Sequence, residues 1–400
     1  MIAYLRRNPV LVTMLSIVLI VLAASVLSSQ LRAAPQLAQE QQLVYLPLVT
    51  GRPPQLAFRS FNSSKRMFGS VGLDGASPAI SPKTLACEHA SIWSTRGTHV
   101  ACEEIFCGKT SCSSGLFNVM SLDGTTEFSI SDGYSRPEWS PDGSQIAFDD
   151  QGVEVIRTDG TGRQTVSDES GRIEFGSVWS PDGTALAYIS RSDSSTDGPF
   201  QIAVVSADGS TPRKLMYEDI AISAIGEIAW SPDGKQLAYT ASGGLVVLNI
   251  DGTGQRFIGF SGTLPGLRVS RELRWSPDGI HIVTGFSDRT DIGLLLARAD
   301  GTELKYIAWG SISRFEWSSN GDLAYQSFYD TTSSVTVLDA NGREKASFAA
   351  QSFSWSPDGQ LIALITSTAN TSRVLVAAPD GTMTRTVLEP VLWDEVVWMR

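Results

Sequence analysis

The chain has 400 residues, 42% of them hydrophobic and 18% charged, with 10 Trp, 36 Gly and a net charge of −11. Residues 1–35 hold three Arg and no acid, so beyond them 28 basic residues face 42 acidic ones, a net charge of −14. A field of that sign repels phosphate and excludes nucleic acid and anionic lipid surfaces as partners.

At the N-terminus, Arg6 and Arg7 precede an uncharged, mostly apolar run from Pro9 to Gln30. The run exceeds the roughly 7–15 residues of a signal-peptide core and approaches the roughly 20 that span a bilayer. Two Arg before it and Arg32 after it favour a cytoplasmic N-terminus with the rest of the chain translocated. Ala33 and Ala34 also offer a small-residue cleavage site. Residues 1–34 are therefore expected to be a transmembrane helix or a signal peptide, leaving the remainder extracytoplasmic on a single-pass anchor, or secreted if the leader is cut. Residues 35–54 read as a linker and extended arm, with Pro47 demoting "LVYLPLVTGRPP" to an edge strand at most.

From Gln55 onward two short patterns recur. WSPDG stands whole at Trp139, Trp179, Trp230, Trp275 and Trp355, with degenerate copies WSTRG at Trp93 and WSSNG at Trp317. A strand of the form x-[LI]-A-[FY] follows the turn: QIAF at Gln145, ALAY at Ala185, QLAY at Gln236 and DLAY at Asp322. A further strand ends in a DG-type turn eight times, from FGSVGLDG at Gly75 to VLVAAPDG at Gly381. In S-P-D-G, Pro presets φ for the first turn position, Asp suits the second, and Gly accepts the left-handed conformation that closes a hairpin. Asp142, Asp182, Asp233, Asp278 and Asp358 thus read as turn residues, since each sits in its own hairpin.

The unit is strand, turn, strand, variable loop, strand, turn, strand, repeated every 38 to 51 residues between Trp93 and Trp398. Four antiparallel strands in about 40–50 residues make one blade of a β-propeller. The repeat Trp are expected to wedge between neighbouring blades. QLAF at Gln55 lacks a preceding Trp strand, whereas Trp398 ends the chain as an orphan one. If the final strand completes the first blade, the chain is all-β with eight blades and no free sheet edge; seven blades with a spare hairpin is the alternative.

These repeats resemble the TolB-like family of WD40-like (PD40) propeller repeats over about residues 55–400. The resemblance implies a β-propeller. It implies no single activity, because the family spans periplasmic translocation components, the propellers of prolyl-oligopeptidase-like peptidases and other exported proteins.

The four Cys, Cys87, Cys102, Cys107 and Cys112, fall in one repeat. An even, local set in an exported chain argues for two disulfides. Cys107 and Cys112 flank a four-residue loop and are expected to pair, leaving Cys87 with Cys102; a zinc site including His89 is the alternative, although the spacing lacks a tight C-x2-C knuckle.

Enzyme signatures are scarce. The chain has only three His and no G-x-S-x-G elbow, HExxH, P-loop or dinucleotide fingerprint. No cofactor or metal is expected. The SPDG and DG turns occupy one face of the ring, so the opposite face carries the variable loops, where binding usually resides. Three positions before the repeat Trp, at the expected channel mouth, stand Arg136, Glu227, Glu272, Arg314 and Glu395, with Glu138, Arg274 and Glu316 one position before theirs. Charge on a strand that should be buried marks either inter-blade ion pairs or a polar ligand site. The favoured reading is a non-catalytic scaffold binding a protein, peptide or envelope polymer. The alternative is a hydrolase or lyase with Glu227, Glu272 or Glu316 as acid and base.

Overall fold

A computed structural model describes residues 55–399 apart from the segments 63–64, 74–78, 86–90, 108–111, 132–135, 151, 168–171, 193–199, 211–213, 221–225, 242, 261–267, 288–291, 330–331, 368–371 and 392. The N-terminal helix expected over 1–34, the arm over 35–54 and Cys87 lie outside the described residues. Among the described residues the strands form eight antiparallel four-stranded sheets. They are numbered here as blades 1 to 8 in chain order, and seven contain four strands that are consecutive in the chain. Blade 1 does not: its innermost strand is the last of the chain, Trp393–Trp398, paired antiparallel with Gln55–Asn62 from Leu56↔Trp398 to Ser60↔Trp393. The eight-blade count and the closure read from the sequence are thus both present.

One serine organises each turn. Ser140 Oγ accepts hydrogen bonds from the backbone N–H of Ser144 (3.1 Å) and Gln145 (2.9 Å) and donates to Asp142 Oδ1 (2.7 Å). Asp142 in turn accepts from Ser144 N–H, while Gly143 closes the hairpin at φ 68°. In WSTRG, Ser94 accepts from the N–H groups of Thr98 and His99, and in WSSNG, Ser318 accepts from that of Asp322. The degenerate turns therefore survive the loss of Pro and Asp because the buried hydroxyl remains. Hydrogen bonds from the serine hydroxyls hold the Asp142, Asp182 and Asp233 carboxyls below their ordinary range, as turn acceptors rather than acids in waiting. Ser356 bonds to Leu361 N–H and to Asp358 in the same way. Ser356→Ala strands the half-buried Leu361 N–H, so thermal denaturation should show a loss of about 1–3 kcal/mol; an unchanged melting curve would contradict this role for the hydroxyl.

The apolar core is divided among the seams. Each of eight clusters joins two adjacent blades, and one of them unites Leu56 and Val71 of blade 1 with Ala363, Ile365 and Val374 of blade 8. The alanine of x-[LI]-A-[FY], and of the looser copies HVAC at His99 and LIAL at Leu361, has a specific place in this packing: Ala101, Ala147, Ala238, Ala324 and Ala363 lie with Trp139, Trp179, Trp275, Trp355 and Trp398 of the next blade. A small residue on one blade makes room for the large one on its neighbour. The indole N–H then donates back to the carbonyl just before the preceding repeat Trp. Trp139 bonds to Ile92 O, Trp179 to Glu138 O, Trp230 to Val178 O, Trp275 to Ala229 O, Trp355 to Glu316 O and Trp398 to Ser354 O, all at 3.0–3.2 Å. Trp93 and Trp317, the Trp of the two degenerate turns, are the exceptions: their indole N–H groups are buried with no acceptor among the described residues.

Cys102, Cys107 and Cys112 lie in blade 2. Cys107 and Cys112 are register partners across the hairpin His99–Cys107 and Cys112–Ser121. Cys102 is buried and disulfide-bonded.

Candidate charged site at the channel

The first strand of each blade has only one hydrogen-bonded neighbour in its sheet, so its other edge presents backbone groups that need partners. Polar side chains of the neighbouring blade supply them. Glu138 Oε2 accepts from Trp179 N–H at 3.3 Å, Glu227 Oε2 from Leu273 N–H at 3.2 Å, and Ser354 Oγ from Trp398 N–H at 3.2 Å. The carboxylates that looked out of place on buried strands are therefore partly structural.

Several of the predicted charges meet. Glu227 Oε1 accepts from Arg274 Nη1 at 2.8 Å, and Arg274 Nη2 reaches Glu272 Oε1 at 3.3 Å, so one guanidinium of blade 6 bridges two carboxylates. Arg274 also donates to Leu273 O at 2.7 Å. In blade 7, Arg314 Nη2 pairs with Glu316 Oε2 at 2.9 Å, and the guanidinium lies 4.9 Å from the ring centre of Phe353 in blade 8. Arg136 is exposed beside blade 3. Glu395 stands opposite Arg59 in register; its side chain is outside the described residues.

Electrostatics extend the group across the ring. Burial pushes the Glu138 carboxyl up to about 8, against the Trp179 N–H bond and the charge of Arg274, with Glu227 and Asp149 adding to the rise. Burial also raises Glu272, opposed by Arg274 and reinforced by Glu227, while Arg314 and Arg136 pull the other way. Burial works against the Arg274 charge, but Glu227 and Glu272 outweigh it and hold the guanidinium above its ordinary value. Side chains of blades 3, 5, 6 and 7 thus share one field. A cavity of about 520 Å³ opens between blades 6 and 7, lined by Glu272, Arg274, Arg314 and Glu316 together with Trp275 and Trp317.

Sequence reasoning missed a second polar cluster, between blades 3 and 4. Asp149, Glu174, Ser167 and Tyr188 are all buried. Ser167 Oγ bonds to both Glu174 oxygens at 3.0 and 3.1 Å and to Tyr188 Oη at 2.5 Å, while Asp149 Oδ2 accepts from Gly176 N–H at 2.8 Å. Burial pushes Asp149 up to about 6 despite bonds from Ser177 and Gly176. The available signal was acid within strands that otherwise read as core, at "IAFDD" and "RIEFGSVW".

The charged cavity can bind a polar group. Among the described residues no three His, Cys, Asp or Glu side chains are grouped to hold a metal ion, and no helix is long and apolar enough to cross a membrane.

Comparison with known proteins places these features in context. A family profile described as "TolB beta propeller domain" (PD40) matches residues 88–354. An oligogalacturonate lyase solved in complex with manganese superposes with a TM-score of 0.54 at 12% identity, covering 82% of this chain and 96% of that one. An oligogalacturonate lyase from Vibrio parahaemolyticus gives 0.53 at 12% identity, covering 82% and 97%. A putative dipeptidyl aminopeptidase IV from Bacteroides ovatus gives 0.51 at 13% identity, covering 83% of this chain and 60% of that one. No curated protein matches the sequence. At such identities the likeness is one of fold alone.

Proposed function

Because the chain belongs to the TolB β-propeller family, we propose that it is a non-catalytic, extracytoplasmic binding scaffold. Its variable-loop face receives a protein, peptide or envelope polymer, and the charged cluster at the channel mouth provides a polar anchor. Residues 1–34 hold it at the membrane; Arg6 and Arg7 before the uncharged run Pro9–Gln30 support that part of the reading. Pairing of Cys107 with Cys112, and of Cys87 with Cys102, fits the same oxidising compartment.

The observation that carries the scaffold reading is the engagement of the channel charges with one another. Glu227, Arg274 and Glu272 form one chain of contacts and Arg314 with Glu316 another. Carboxylates locked to guanidinium groups and to backbone N–H are poor bases, but they hold a rigid polar surface in place.

The full chain, solubilised from its own envelope in neutral detergent, should retain a specific envelope component on an affinity matrix. Arg314→Gln should lower that retention at least tenfold, whereas Asp358→Asn, on the turn face, should leave it unchanged. Absence of any specific partner, together with turnover of a glycan or peptide panel that disappears in Glu272→Gln, overturns the scaffold reading.

A second reading, hydrolysis or elimination at the channel mouth, is favoured by Glu138, whose carboxyl is pushed up to about 8 and so keeps its proton near neutral pH. Turnover lost in Glu138→Gln as well as in Glu272→Gln would establish it.

A further inference from the structure

Blades 6 and 7 share an aromatic ridge that the repeat pattern does not require. Trp309 ends the outer strand Leu304–Trp309 of blade 6 and is 53% exposed. Its ring stacks on Tyr306, with centroids 5.0 Å apart and 23° between planes, and Phe286, fully buried, meets both rings edge-on at 5.0–5.2 Å. The indole is thus backed on one side and open on the other.

The backbone is arranged to permit this. Gly293 is the register partner of Trp309, and a Cβ there would lie 2.5 Å from both the Phe286 ring and Ala308 O. Gly310 follows at φ 118° and donates its N–H to Ile292 O at 2.7 Å. Only glycine leaves space for Phe286 under the platform and lets the chain turn directly into blade 7.

That turn brings a second aromatic pair alongside. Ser311 is the register partner of Phe328, so Tyr329 continues from that pair on one strand as Gly310 and Trp309 do on the other. Tyr329 is 85% exposed, and Phe328 and Ile292 are exposed beside it. The ridge lies where the connections between second and third strands and between successive blades meet, on the variable-loop face. Its other described residues, Ser311, Ser313, Thr332 and Ser333, are uncharged, and Ser311, Ser313 and Thr332 are exposed.

We propose that this ridge binds a neutral glycan, with sugar rings stacked on Trp309 and Tyr329 and their hydroxyls bonded to the surrounding serine and threonine groups. The proposal rests on the variable-loop face being the binding face and names the polymer it takes. A sugar ring has a flat face of C–H groups that packs on an open aromatic face, and rigid aromatics lose little entropy in receiving it. Size argues against a protein partner here. The exposed parts of the three aromatic rings amount to roughly 300–450 Å², given about 150–250 Å² for each whole ring, whereas a stable protein interface needs about 800 Å² per partner. Charge argues against an acidic polymer, because the chain carries a net −11 and the ridge offers no cation among its described residues.

Native electrophoresis of the full chain in neutral detergent tests this, using gels containing hydroxyethylcellulose, xylan or glucomannan, with polygalacturonate in parallel. At least one neutral glycan should retard the protein. Trp309→Ala should weaken its apparent affinity at least tenfold and Tyr329→Ala severalfold, while Trp309→Phe retains part of it by keeping an aromatic face. Melting curves unchanged from the parent chain show that the variants are folded, and Tyr329→Ala, at a nearly free side chain, serves if Trp309→Ala is not. Any of four results overturns the glycan proposal: no retardation by a neutral glycan, retardation indifferent to both alanine variants, retardation by polygalacturonate alone, or self-association of the chain that Trp309→Ala abolishes. Asp358→Asn, on the turn face, should migrate like the parent chain in every gel, and the channel-mouth reading keeps its own test in the Arg314→Gln pull-down, so the two can fail separately.

Discussion

Ending the chain at Val391 should convert a closed ring into an open, aggregating one, and Trp398→Ala alone should cost about 3–5 kcal/mol. The removed strand, Trp393–Trp398, is the inner strand of blade 1 and also packs on blade 8. Trp398 and Val396 are buried with Leu56, Val71, Ala363 and Ile365. Trp398 donates from its indole to Ser354 O at 3.0 Å and from its backbone to Ser354 Oγ at 3.2 Å, and Met399 N–H closes on Gln55 O at 3.0 Å. Gly97 of blade 2 fits against Met399, where a Cβ would stand 3.0 Å from Cγ. Truncation removes all of this at once. It also bares one edge of Gln55–Asn62, which then presents unpaired backbone groups to any other chain. Against a total stability of about 5–15 kcal/mol, that loss is decisive. Size-exclusion chromatography and thermal unfolding of the truncated and Trp398→Ala proteins measure it. A monomeric truncated chain with an unchanged melting temperature would show that the ring does not depend on this closure.

Glu138→Gln should stabilise the protein at pH 8 and leave it unchanged at pH 4. The folded carboxyl is raised from 4.5 to about 8. Between those values the unfolded chain ionises while the folded chain keeps its proton, so the parent protein loses stability as pH rises through this window and has its full share only below it. Each unit of difference corresponds to about 1.4 kcal/mol. Glu138 is only half-buried, so solvent screens the effect and brings the expected gain to about 2–3 kcal/mol. Glutamine retains the oxygen that accepts from Trp179 N–H, so geometry is conserved while the ionisable group is gone. Urea unfolding of both proteins from pH 4 to pH 9 provides the comparison. Parallel curves would mean that Glu138 is ionised in the folded state, and the proton-donor role in the second functional reading would fall with it.

Much of the architecture was legible because it is written locally. S-P-D-G forms its hairpin from groups within five residues of one another, so each copy announces a turn wherever it stands. The orphan Trp398 was interpretable for a related reason: an unmatched strand at each end of an array has one obvious partner. The alanine of x-[LI]-A-[FY] was visible as a pattern but not as a purpose, because its partner is the Trp of the next blade. The charges before each Trp were equally visible, and register alone placed them at the expected channel mouth.

Sequence by itself determined the repeat and the turn chemistry, which depend on short-range geometry, and narrowed the ring to eight blades closed by the final strand or seven with a spare hairpin. Only the tertiary structure decided that the blades number eight, that Arg274 joins Glu227 to Glu272, that burial raises the Glu138 carboxyl, and that Trp309 and Tyr329 flank the turn from blade 6 into blade 7. Those outcomes depend on distances and desolvation between blades far apart in the chain, quantities that no local pattern encodes.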